Sequence, residues 1–218
     1  MLTVEAALES AGPGLELAHG WRLHALEPIS PAEAEAVLRE PVAAVPDSLA
    51  ARLGVLHIYA APYLECRGEK EWVSAEPPAG ESHSSLWLER PEGLALLLSF
   101  RDADAHDTGF ELLAALSELA VPRLTDEEFV RYAQLIEREL REGSTGEIDE
   151  EALQAREAAQ ADYVMVSLAS TLAEYMHALW HDVEVRRGPE HLPPQFLRRR
   201  LELLQEMFPP NPGYILFR

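Results

Sequence analysis

The sequence predicts an α+β protein in which a small antiparallel β-meander, about residues 55–100, packs against a C-terminal set of helices that includes one long helix. Three observations lead there. Strand-favouring residues concentrate between Val55 and Phe100. Apolar residues recur at helical spacing through most of the chain after Phe100. Strands and helices also fall in separate blocks, which argues for α+β over an alternating parallel-sheet fold. With 218 residues, 47% of them hydrophobic, the chain can bury a core, and one domain over 1–218 is expected. Its parts are a mixed N-terminal segment (1–50), the sheet (55–100) and a helical part (107–208).

The elements can be justified in order. "ISPAEAEAVLRE" is a short helix. Ser30 caps it, Pro31 takes the first helical position, Glu33 completes a capping box, and Pro41 and Pro46 should then break the chain. "DSLAARLG" is a further helical turn that stops at Gly54. Ser85–Arg90 and Leu94–Phe100 read as strands joined by the turn Pro91-Glu92-Gly93. In the first strand Leu86 and Leu88 share a side and Trp87 takes the other. The second is almost wholly apolar, which places it centrally in the sheet.

Leu112, Leu113, Leu116 and Leu119 then stripe a helix that Asp107 or Thr108 can cap. Thr125 and Glu128 box the start of the next, which carries Phe129, Tyr132, Leu135, Ile136 and Leu140 at helical spacing. The long helix is expected from Asp149 to about Val185, ended by Gly188-Pro189. A last helix follows Pro193 and Pro194. Tyr214–Phe217 either adds a strand or packs on the core. No internal repeat is visible.

Charge narrows the partners. Asp and Glu total 38 against 18 Lys and Arg, a net charge of -20. That field repels nucleic acid and anionic membrane surfaces. It attracts cations and basic protein surfaces, and its plainest use is solubility. The three consecutive arginines Arg198–Arg200, with Arg186 and Arg187 upstream, are expected to pair with glutamates of neighbouring helices. The single cysteine, Cys66, allows neither an internal disulfide nor a cysteine-rich zinc cluster. With no recognisable His partner it reads as a small buried hydrophobe. The first residues lack a basic segment leading into an apolar run, and no apolar run is long enough to span a bilayer, so a cytoplasmic protein is expected. Ala, Leu, Glu and Arg usage resembles that of a GC-rich bacterial genome.

Two places could carry chemistry. On a helical wheel Leu168, Leu172, Tyr175, Leu179 and Val183 gather on one side. Tyr163, Ser167, Ser170, Glu174, His177, His181 and Glu184 gather on the other, as a polar stripe expected to face solvent. His177 and His181, one turn apart, could grip Zn²⁺ or Fe²⁺ with Glu174 as a third ligand. Ala178 stands where a zinc protease needs its Glu, and the Glu-x-x-His of di-iron bundles occurs once, at Glu174–His177. The plain alternative is a solvated face. The second place is "FRDADAHDTGF". In an extended segment Asp102, Asp104 and His106 would point one way and could complete a metal site. The plain alternative there is a helix cap at Asp107 with turn aspartates beside Arg101.

Two functions follow. The first is a soluble acidic binding or regulatory protein that engages a basic protein partner, anchored by whichever of Trp21, Trp72 and Trp87 is exposed. The second is a metal-dependent hydrolase, in which His177 and His181 hold the ion and a metal-bound water attacks. Neither involves nucleic acid or a membrane.

Overall fold

The computed structural model describes residues 1–68, 70–80, 82–101, 104–181 and 188–217. The α+β class stands, and the chain packs as two compact units. The first comprises residues 1–43 and 53–115, the second 44–52 and 116–218.

In the first unit the elements run β1 (Leu2–Thr3), α1 (Val4–Ser10), β2 (Leu15–Glu16), β3 (Arg22–Ala25), α2 (Pro31–Ala44), β4 (Leu56–Ala61), β5 (Tyr63–Arg67), β6 (Lys70–Ser74), β7 (Ser82–His83), β8 (Ser85–Arg90) and β9 (Gly93–Ser99). The strands form two sheets. One is antiparallel, in the order β1-β6-β5-β7. The other is mixed, in the order β2-β3-β4-β9-β8, with β3–β4 and β4–β9 parallel. The expected meander is thus refined at one point. β4 does not turn back onto β9, because β5 to β7 leave to build the other sheet before the chain returns. Parallel neighbours need such crossovers.

β9 is central and covered on both faces, as its sequence implied, and Leu96, Leu97 and Leu98 are fully buried. Each buried leucine stabilises the fold by about 2 kcal/mol. The β8–β9 turn has Gly93 at φ 135°, where a side chain would collide with the backbone of Val55. Helix α1 adds Val4, Ala7 and Leu8 to a cluster with Leu64, Val73 and Leu97. Ser30 caps α2 through the Glu33 N–H at 3.2 Å. The expected break at Pro41 does not occur; Pro41 lies inside α2. Proline there removes one helical hydrogen bond, and the complete burial of Leu38, Val42 and Ala44 offsets the loss.

Helix α4 (Ala105–Ala120) follows, its stripe Leu112, Leu113, Leu116 and Leu119 fully buried. The second unit also holds α3 (Asp47–Leu53), up to Arg52, and then α5 (Asp126–Arg141), α6 (Glu150–Glu157), α7 (Tyr163–Trp180) and α8 (Pro194–Met207). Thr125 and Glu128 make the capping box of α5. The single long helix from Asp149 is corrected to two, α6 and α7. Ala159, at φ 49°, takes the left-handed position that usually calls for glycine. The Ala159 N–H donates to the Arg156 carbonyl at 3.0 Å and the Gln160 N–H to the Ala155 carbonyl at 2.9 Å, closing α6. Residues Val183 to Arg187 lie outside the described residues, so the expected C-terminal extent of the long helix does too. Among the described residues the tail after α8 forms no strand, and Leu216 is buried. No helix among the described residues is long and apolar enough to cross a membrane.

Candidate functional site

Much of the polar stripe of α7 turns inward: Tyr163, Ser167 and His177 are buried and Ser170 and Glu174 half-buried, while His181 is exposed. For Tyr163 and Ser167 the reason lies on other elements. Arg200 of α8 is 1% exposed; its Nε donates to Glu139 of α5 at 2.8 Å and its Nη1 to Glu147 at 2.7 Å and to the Ser167 hydroxyl at 3.0 Å. The Tyr163 hydroxyl donates to Glu147, and Tyr132 shares hydrogen with Thr171 at 2.6 Å. Burial pushes the Glu139 carboxyl up. Burial alone would pull the Arg200 pKa down, but Tyr132, Glu147 and Glu139 hold it well above its ordinary value. The expected pairing with a neighbouring helix holds for Arg200 and for Arg199, which meets Glu142 at the end of α5, whereas Arg198 pairs within α8 with Glu202 at 2.8 Å. Arg186 and Arg187 lie outside the described residues. This network ties α5, α7 and α8 together.

The paired histidines sit at the end of α7. The His177 and His181 rings are 6.0 Å apart between centroids, and His177 Nδ1 lies 3.8 Å from Glu174. His177 is 7% exposed, whereas His181 is exposed and ends the helix. Their ligand atoms do not converge with a third among the described residues. Asp102 and Glu184 lie outside the described residues.

The aspartate-rich loop resolves differently from its extended reading. His106 lies in the first turn of α4, and Asp104 caps that helix by accepting from the Asp107 N–H at 2.8 Å. The cap is thus Asp104 rather than Asp107 or Thr108, and the Asp107 carboxylate lies 3.8 Å from His106 Nδ1. Ligand atoms of Asp104, His106 and Asp107 lie within 4.8 Å of one another, all on exposed residues.

Asp107 also lines a cleft of about 360 Å³, within the size range of ligand sites. Tyr63, Pro78 and Phe110 give it apolar walls, and Ser99, Arg101, His83 and Glu111 give it polar ones. Burial pushes the Glu111 carboxyl up, and the Asp107 charge pushes it further. His83 belongs also to a cluster with Cys66 and Glu71, whose ligand atoms lie within 4.8 Å of one another. Cys66 and Glu71 are directly opposed in the β5–β6 ladder, and His83 opposes Leu64 across β5–β7. All three therefore share one face of the sheet.

Two further features were not anticipated. His24 and His57 lie on adjacent parallel strands, with His24 Nε2 2.9 Å from His57 Nδ1 and both rings stacked near Tyr59. Burial, and then His24, pull the His57 pKa down. Of the three tryptophans offered as anchors, Trp21 is buried and Trp72 half-buried, while Trp87 is 41% exposed on the edge strand β8. Comparison with family models, curated proteins and solved structures returns no match, so function rests on these sites alone.

Proposed function

We propose that this is an acidic binding protein that engages a basic segment of a protein partner, seating a lysine or arginine side chain in the cleft beside Asp107 and Glu111. The observation that carries this reading is the half-buried Glu111 carboxyl in the cleft beside Asp107, its pKa raised by burial and then by the Asp107 charge, a penalty that an incoming cation relieves. Tyr63 and Phe110 line the same cleft and suit the alkyl stem or the guanidinium face of such a residue. The wider charge favours the same partner. In the first unit's sequence Asp and Glu outnumber Lys and Arg by 18 to 6. Such a surface steers basic partners and speeds their approach. Ser84 lines the cleft, and Trp87 follows three residues later along extended chain, about 10 Å away. A partner held in the cleft reaches the exposed indole with its next few residues.

The test is fluorescence anisotropy with a labelled arginine-rich peptide and a glutamate-rich control. Selective binding of the basic peptide, weakened by salt and at least about tenfold by Asp107→Asn with Glu111→Gln, supports the reading. Equal binding of both peptides, or no response to the double substitution, refutes it.

A further inference from the structure

We propose that Cys66, Glu71 and His83 form a zinc-binding site that ties together β5, β6 and β7 and leaves one coordination position open. Three kinds of observation support it. The first is ligand chemistry. A thiolate, an imidazole and a carboxylate are the donor types zinc accepts, and three protein ligands plus one solvent position is a familiar zinc arrangement.

The second is geometry. Ligands held 2.0–2.3 Å from a tetrahedral zinc lie about 3.3–3.8 Å from one another. His83 Nε2 and Glu71 Oε2 are 3.5 Å apart, and the Cys66 ligand atom lies within 4.8 Å of both partners. Ladder register fixes this convergence. Cys66 and Glu71 face each other on one hairpin, and β7 brings His83 to the other side of β5. A small rotation of one side chain closes the set on an ion.

The third is unsatisfied polarity. Glu71 Oε2 and His83 Nε2 are both covered from solvent, and beyond their 3.5 Å approach to each other neither finds a hydrogen-bond partner among the described residues. A buried donor or acceptor left without a partner destabilises the fold. Two such atoms aimed at one spot, beside a sulfur, are explained together by a cation between them. The side chains as wholes remain partly open, 40% for His83 and 32% for Glu71, which gives an ion a path in and water the fourth position. His83 also lines the cleft beside Asp107.

The experiment uses the full chain, stripped with a chelator and then given zinc or cobalt. Equimolar zinc should survive desalting, and cobalt should give the near-ultraviolet charge-transfer band of a metal-bound thiolate. Cys66→Ser should abolish that band. Cys66→Ser, Glu71→Gln and His83→Ala should each weaken zinc binding at least about tenfold. His106→Ala and His177→Ala should leave it unchanged. Because a variant can fail to fold, the unaltered protein supplies a second reading: zinc should slow the reaction of Cys66 with a thiol reagent. Zinc lost on desalting, a cobalt complex without the band, or full binding by both Cys66→Ser and His83→Ala overturns the proposal.

Discussion

Replacing Arg200 by methionine tests whether the polar core of the second unit acts as one charged network. Methionine keeps much of the arginine stem but removes the hydrogen bonds to Glu139, Glu147 and Ser167. Two carboxylates are then left with 1% and 0% side-chain exposure and no counter-charge from α8. Breaking a buried ion pair this way costs about 3–5 kcal/mol. In a chain of this size each kcal/mol lowers Tm by about 2–4 °C, so the expected fall is about 6–20 °C. Urea denaturation followed by circular dichroism measures the loss directly.

The pH dependence sharpens the test. Burial already holds the Glu139 pKa above its ordinary 4.5, and losing Arg200 raises it further. A carboxyl with a raised folded pKa keeps its proton while the unfolded chain ionises, so it costs stability as pH rises through that window. The variant's penalty should be greatest at neutral pH and should shrink on acidification towards 4.5. Adding Glu139→Gln and Glu147→Gln should restore most of the loss. A penalty below about 1 kcal/mol at neutral pH, or one that grows with acid, refutes the reasoning.

Other outcomes follow from single sites. Affinity for an arginine-rich peptide should rise as pH climbs through the raised Glu111 pKa, and Glu111→Gln should flatten that rise in anisotropy titrations. His57 has a folded pKa below 6.5, so the unfolded chain takes up the proton first as pH falls; the urea midpoint should drop below that pH, and His57→Gln should reduce the drop. Gly146→Ala should lower Tm markedly, since Gly146 sits at φ 73° against the backbone of His191, and the next residue, Glu147, is held by Glu190 and Leu192. His177→Ala should cost about 1–3 kcal/mol in urea denaturation, and His181→Ala about 0.5 at most, because only the first ring is buried.

What could be read from residues alone was what local rules decide. Thr125 and Glu128 announce a capping box, Gly93 a turn, and Leu94 to Leu98 a central strand, because each signal lies within a few residues. The α6–α7 break was hidden because Ala159 occupies a place where glycine would have marked it. The inward turn of Ser167 was hidden because its partner, Arg200, lies on another helix. The His near Cys66 has no local signature, because pairing of β5 with β7 brings His83 from seventeen residues away. The parallel pairing of β3 with β4 leaves no local signal, because β3 is a four-residue strand in a segment of mixed composition.

The departure of β5 to β7 between two strands that lie side by side also sets a timetable. The β5–β6 and β8–β9 hairpins join residues close in sequence and can zip early, whereas Leu56 meets Leu94 only after the intervening chain has been gathered in. The ordering implies that substitutions weakening the β4–β9 ladder retard refolding when that ladder forms in the rate-limiting step, and otherwise mainly hasten unfolding. During synthesis, likewise, β4 must wait, its edge unclaimed, until the ribosome has released β9.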